Sequence, residues 1–330
     1  MNRTKRKIKI VGTGFYVTDK ILTNADLEKI VDTSDEWITT RTGIKERHLA
    51  YDHQASSDFA IEAGKRALDN AGLRVEDIDL IMVATSTPDT IFPSTACWVQ
   101  RGLEAGTIPV FDISAACSGF LYGMILSEAL ILSGQKRRIL LIGVELLSRI
   151  TDWSDRNTCV LFGDAASAVV LEESPDESGM LGHYWRADGN LGDLLLLPAG
   201  GSRIPATAES VAKNQHYLAM KGNEVFKNAV KRMGEAALGA LAEAGLKRED
   251  VDWLIPHQAN IRIIEATGHR LRLPKEKVFV NIQKYGNVSA ATIPICLHEM
   301  RVEGKLNEGN ILVMVAFGAG FTWAGITYRW

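Results

Sequence analysis

From Ala71 the chain reads AGLRVEDIDLIMV, and 173 positions later, from Ala244, it reads AGLKREDVDWLIP. Six of the thirteen aligned positions are identical, and three of the six are acids. Two more pairs follow in the same order. PVFDISAACSG and KVFVNIQKYGNVSA align on Val110 and Val278 at an offset of 168, and ILLIGVE from Ile139 aligns with ILVMVAF from Ile311 at 172. Three matches at nearly one offset predict two similar halves. Chance likeness among apolar strands is the competing reading, and the matched acids weigh against it.

Within each half, helical and strand-like segments alternate. SSDFAIEAGKRALDNAGL has helical periodicity and stops at Gly72, whereas DLIMVATS is a short apolar run of the kind that forms a buried strand. Such alternation predicts an α/β fold with helix-covered sheets. The first half is assigned to residues 1–176 and the second to 177–330. The uncharged run ILVMVAFGAGFTWAGI, Ile311 to Ile326, is shorter than the ~20 residues of a membrane helix and has glycines in its middle. It reads as two buried strands joined by a tight turn. The basic head MNRTKRK precedes too short an apolar run for a signal peptide, and KIKIVG reads as the first strand.

A net charge of −3 gives no global attraction to nucleic acid or anionic membrane. The four cysteines, Cys97, Cys117, Cys159 and Cys296, contain no C-x-x-C pair and suggest neither a zinc site nor a disulfide framework. Reduced thiols in the cytoplasm fit this usage best. GTGFYV near the start lacks the third glycine of a dinucleotide fingerprint, which disfavours a dehydrogenase.

If the halves are related, Cys117 and Asn287 occupy comparable strand-to-helix junctions, and His257 follows the second copy of the DLIMVA strand. All three then lie at strand ends, where α/β sheets place their sites. A thiol at a helix N-terminus faces the positive end of the helix dipole, so Cys117 is expected below the free value of ~8.5. Ala115, Ala116 and Gly119 leave room around it. Taken singly, each signal has a plain structural reading: an inert buried cysteine, a hydrogen-bonded core histidine, a Gly-Asn turn and a glycine hairpin.

Taken together, the chain resembles the β-ketoacyl-acyl-carrier-protein synthase III family of condensing enzymes, nearly end to end. The resemblance is carried by DTSDEWITTRTGIKERH, AACSGF, FGDAASA, MKGNEVFK, PHQANIRI, YGNVSAA and AFGAGFTWAG. It implies the thiolase fold, with two duplicated halves in a five-layered αβαβα sandwich. It also implies a catalytic triad of Cys117, His257 and Asn287. The thiol would take an acyl group from acyl-CoA, and the two nitrogens would donate to the thioester oxygen of malonyl-acyl-carrier protein as CO2 leaves. The oxyanion donors would be the N–H groups of Cys117 and Ala319, the latter where the family often has glycine.

The resemblance further implies CoA binding by Trp37, Arg41, Thr42, Arg156 and Asn223, with Trp37 and Arg156 sandwiching the adenine. Lys227, Arg262 and Arg270 would dock the acidic carrier protein. Phe92 would restrict an acyl pocket across a homodimer interface. No metal or redox cofactor is implied, and acyl-CoA is a substrate. Three other readings compete: a condensing enzyme of secondary metabolism, a thiolase proper and a non-catalytic partner subunit. A thiolase needs a second cysteine near the C-terminal glycine loop, which AFGAGF lacks, and a non-catalytic subunit would lack Cys117.

Overall fold

The computed structural model describes residues 6–330. Most of the basic head read above against a signal peptide, residues 1–5, lies outside them. Two sheets form the frame. The first contains β1 (Ile8–Tyr16), β2 (Leu80–Ala84), β3 (Val110–Ile113), β4 (Arg138–Leu146) and β5 (Asp164–Glu173), in the order β1-β5-β4-β2-β3. The second contains β6 (Gly179–Ala187), β7 (Trp253–Pro256), β8 (Ile311–Gly318) and β9 (Thr322–Arg329), in the order β7-β8-β9-β6. The run from Ile311 is thus the antiparallel pair β8–β9, as its glycines predict.

The sequence repeat reappears as matched strand pairing. Ile81 of β2 pairs in parallel with Val110, and Leu254 of β7 bridges in parallel to Val278. These are the positions that the offsets of 173 and 168 bring together.

Six helices complete the layers: α1 (Ser56–Ala71), α2 (Thr95–Gly102), α3 (Gly119–Leu132), α4 (Gly222–Glu243), α5 (Ile261–Leu271) and α6 (Thr292–Val302). The period-2 alternation of each strand assigns its two faces. In β4, Ile139 and Leu141 face inward with Phe120 and Met124 of α3, whereas Leu140, Ile142 and Val144 face outward with Phe59 and Ala63 of α1. In β8, Leu312 and Met314 join the inner core, and Val313, Val315 and Phe317 join an outer core with Met233 and Ala237 of α4. Both sheets are therefore covered on both faces, which is why their strands read as unbroken apolar runs. The result is the five-layered αβαβα sandwich of the thiolase fold, with α3 and α6 in the shared middle layer. Among the described residues, no helix is long and apolar enough to cross a membrane.

GTGFYV has a packing role. Gly12 and Gly14 lie in β1, and a Cβ on either would come within 2.3 or 2.4 Å of the α1 backbone at Ala67. The same device recurs in the second half. A Cβ on Gly325 of β9 would stand 2.4 Å from the Ala236 carbonyl oxygen of α4. Gly325→Ala should therefore destabilise the fold by about 1–3 kcal/mol through overpacking. Gly201→Ala, where a Cβ meets nothing within 4 Å, should leave stability nearly unchanged. Urea unfolding of the two variants checks this, and equal midpoints would contradict it.

Candidate active site

The two middle-layer helices bring their N-termini together. Each is preceded by a single 3-10 turn, Ala116–Ser118 before α3 and Ser289–Ala291 before α6. Each turn begins with a non-glycine residue in the left-handed region, Ala116 at φ +46° and Ser289 at φ +47°. These residues are 173 positions apart, the main repeat offset. A side chain held there costs roughly 1–3 kcal/mol, and such strain concentrates at functional sites.

Around these turns lies a cavity of about 580 Å³, a size suited to a substrate pocket. Cys117, His257 and Asn287 all line it, as does Ala319. Cys117 sits in the turn before α3. Its backbone is approached closely by Gly318 at the end of β8, where a Cβ would stand 2.7 Å from the Cys117 nitrogen. Glycine at this place lets the loop carrying Ala319 pass beside Cys117. Beneath them, Thr322 Oγ1 donates to the Ala115 carbonyl at 3.0 Å and lies 2.6 Å from Ser118 Oγ.

His257 follows β7 directly and is only 2 % exposed. Burial lowers its pKa to about 3, so the ring is neutral at physiological pH. Its Nδ1 lies 3.1 Å from Thr292 Oγ1, and Thr292 Oγ1 donates to the Ser289 carbonyl at 2.6 Å. A hydroxyl has one hydrogen. With that hydrogen on the carbonyl, Thr292 accepts from Nδ1–H, and Nε2 is the bare nitrogen, buried and without a hydrogen-bond partner. Turned away from the carbonyl, the same hydroxyl can donate to Nδ1, which leaves Nε2–H available as a donor. Asn287 needs no such change. Its Oδ1 accepts from the Ser289 N–H at 2.9 Å, which leaves both Nδ2 hydrogens for other partners.

The expectation of an acidified Cys117 is corrected. Burial pushes this thiol up to about 12, and the nearby Glu145 carboxylate also raises it, against a lowering by the Ser289 hydroxyl. A dipole argument from sequence misses both the burial and the acid. Glu145 itself was not singled out. The available signal was one carboxylate inside the apolar run ILLIGVELL.

Trp37, Arg41, Thr42 and Asn223 line the same cavity. Trp37 and Arg41 share a helix over Asp35–Thr42 that Ser34 caps and Gly43 ends. Their i, i+4 spacing lays the Arg41 guanidinium 4.8 Å from the Trp37 ring centre. Arg156 is off the cavity wall but also packs on that ring, at 5.1 Å, while donating to the Asp32 carbonyl. The pair expected to sandwich an adenine is thus closed on itself, and a ring would enter only with Arg156 displaced. Lys227, Arg262 and Arg270 are exposed on the adjoining helices α4 and α5, and Arg262 also lies on the cavity wall, stacked on Phe226. Phe92 stands apart, 84 % exposed beside Ile91 and off the cavity wall.

Family descriptions match in two places. The model for 3-oxoacyl-[acyl-carrier-protein] synthase III matches residues 111–189, and that for its C-terminal region matches 241–330. The β-ketoacyl-[acyl-carrier-protein] synthase III of Caldanaerobacter subterraneus subsp. tengcongensis is 56% identical over 321 residues, 97% of each chain. The crystal structure of 3-oxoacyl-[acyl-carrier-protein] synthase III from Aquifex aeolicus shares 50% identity at a TM-score of 0.91, covering 99% of this chain and 100% of its own. The priming β-ketosynthase of the R1128 polyketide pathway is more distant, at 30% identity and a TM-score of 0.90, covering 100% and 98%.

The Thr292 contact and the burial of His257 make one prediction. Nitrogen-15 NMR of the imidazoles, with His257 assigned by its loss in His257→Gln, should show a neutral ring from about pH 5 to 8, protonated at Nδ1. A His257 ring that titrates near 6.5, or that carries its proton on Nε2 at rest, would contradict this reading.

Proposed function

The chain belongs to the β-ketoacyl-acyl-carrier-protein synthase III family, and we propose that the cavity holding Cys117 is where its reaction takes place. The enzyme is an acyltransferase. It condenses a short acyl-CoA, acetyl-CoA in the first place, with malonyl-acyl-carrier protein to give a 3-oxoacyl-carrier protein, CO2 and CoA. This step initiates fatty-acid synthesis. One observation carries the assignment of the site: a single cavity joins a mouth of Trp37, Arg41 and Arg262 to Cys117, His257 and Asn287.

The geometry supports a role for each residue. Cys117 attacks the acyl-CoA thioester and holds the acyl group covalently, while the N–H groups of Cys117 and Ala319 stabilise the carbonyl oxygen. After CoA leaves, the malonyl thioester takes its place. Loss of CO2 puts negative charge on the thioester oxygen. Asn287 Nδ2 and the Nε2–H form of His257 donate to that oxygen as the charge develops. A neutral histidine suits this task, because it donates a hydrogen bond without a charged ring in a dry pocket.

The mouth suits a phosphorylated cofactor carrier. Guanidinium groups pair with phosphates and stack on flat rings. Trp37 with Arg41, Thr42 and Asn223 is the proposed CoA path, and Arg156 would swing from Trp37 to admit the adenine. Lys227, Arg262 and Arg270 give the carrier protein a basic landing surface next to that mouth. The exposed pair Ile91 and Phe92 supports a homodimer, with Phe92 reaching the partner's acyl pocket. A cytoplasmic location follows from the proposed substrates. The 30% likeness to a polyketide priming enzyme keeps the secondary-metabolism reading as the second choice, below the 56% likeness to a relative named for this activity.

Intact-mass spectrometry with a panel of acyl-CoAs tests the assignment. The wild type should gain one acyl group on Cys117, fastest from a short acyl-CoA, and Cys117→Ala should gain none. Acylation of Cys97, Cys159 or Cys296 instead, or of no residue, would overturn it.

A further inference from the structure

Strand β4 reads GVE over Gly143–Glu145, and the three residues have separate tasks. Val144 faces the outer core. Gly143 and Glu145, two positions apart, share the opposite face, where the turn Ser289–Ala291 rests. Gly143 lets that turn come close, since a Cβ there would stand 2.4 Å from the Ala290 carbonyl oxygen. Glu145 is a fully buried carboxylate to which the condensation assigns no task. Its Oε1 accepts from Ser289 Oγ and from Ser86 N, both at 3.0 Å. Its Oε2 accepts from Ser86 N at 3.1 Å and from Thr87 Oγ1 at 2.9 Å. A carboxylate that is buried with hydrogen bonds and no cation is expensive, so its place beside the site calls for a reason.

Asn287 supplies one, because its backbone and its side chain are held separately. The backbone is fixed by the segment 161–163: the Asn287 N–H donates to the Leu161 carbonyl at 2.9 Å, and the Asn287 carbonyl accepts from the Gly163 N–H at 3.1 Å. The side chain makes one hydrogen bond among the described residues, with Oδ1 accepting from the Ser289 N–H at 2.9 Å. The direction of the amide therefore depends on where the Ser289 N–H points. That N–H belongs to a serine at φ +47°, a region a side chain disfavours. A contact from outside the turn must hold it there. The Ser289 hydroxyl makes that contact by donating to Glu145, which stands on a strand buried along nearly its whole length.

We propose that Glu145 is a positioning residue: by gripping the Ser289 hydroxyl it holds the strained turn and so aims the Asn287 amide into the cavity. That the amide there meets an enolate oxygen rests on the function proposed above; the aim of the amide does not. A carboxylate suits the task because it only accepts, and it accepts at both oxygens, from Ser289 on one and from Thr87 on the other. The acylation half of the reaction has no use for it. A carboxylate close to Cys117 works against ionisation of the thiol. Loss of Glu145 should therefore slow decarboxylation and spare acylation, a split that general damage to the fold does not produce.

Glu145→Ala tests this with two readouts. In its crystal structure the Asn287 amide should leave Ser289, losing the 2.9 Å contact between Oδ1 and the backbone nitrogen. An amide still in place overturns the proposal, with or without activity. In single turnovers, CO2 release from radiolabelled malonyl-carrier protein should fall roughly tenfold or more, the order of loss expected for a misplaced group. Acyl-enzyme formation from acetyl-CoA, followed by mass, should be no slower than about half the wild-type rate. Glu145→Gln, which still offers Ser289 a polar partner, should recover most of the lost CO2 release. Equal slowing of both half-reactions, or a glutamine variant as slow as the alanine variant, overturns the proposal. If Glu145→Ala does not fold, Ser289→Ala removes the same contact and leaves the carboxylate its other donors. It should show the same displaced amide and the same fall in CO2 release, and an amide in place again overturns the proposal. A wild type that neither takes an acyl group nor releases CO2 would sink the function reading, and the position of the amide in the variant would still decide this one.

Discussion

Helices α3 and α6 must share one apolar slab between two sheets, and their N-termini are thereby forced to meet. That constraint makes the site. Each helix is entered through a turn that starts in the left-handed region, at Ala116 and Ser289, and the repeat places these residues at the same point in each half. Duplication supplied two similar turns, and side chains then divided the work. The first turn carries the thiol. The second has Ala290 in the corresponding place and Asn287 just before it.

Ser289 ties the second turn together. Its N–H holds Asn287, its carbonyl holds Thr292 and through it His257, and its hydroxyl donates to Glu145. One strained residue thus contacts three of the polar side chains around the nucleophile, Asn287, Thr292 and Glu145. Burial then sets the resting charge: the thiol is protonated and the histidine neutral, with the carboxyl near its midpoint at neutral pH. In such a pocket an enolate oxygen meets the Asn287 amide as a donor already in place, and little solvent competes for it.

Much of this was legible in the sequence, and the limits have physical causes. The halves, the β8–β9 pair and the strand-end positions of Cys117 and His257 follow from repeats and apolar runs, which are local patterns, whereas Asn287, expected at a strand end, instead follows the short helix Ile282–Tyr285. The acidity of Cys117 was misjudged because a helix dipole is visible in the sequence, whereas burial and a carboxylate from another strand are not. Glu145 hid inside ILLIGVELL, where one acid in a strand draws no notice until its partners converge. Gly12 and Gly14 resembled part of a nucleotide motif, yet they serve the backbone approach of α1. The closure of Arg156 on Trp37 could not be read at all, since it is a choice among rotamers on separate elements.

The central claim is that proton removal from Cys117 and stabilisation of the enolate belong to different residues. The most direct test follows acyl-enzyme by mass and CO2 release from radiolabelled malonyl-carrier protein in His257→Ala, Asn287→Ala and Cys117→Ala. The account predicts that the first two keep acylation of Cys117 largely intact while CO2 release falls ~10²–10³-fold, the typical cost of one lost oxyanion donor. Cys117→Ala should form no acyl-enzyme at all. If His257→Ala loses acylation as completely as Cys117→Ala does, the histidine is the base for the thiol, and the division of labour drawn here is wrong.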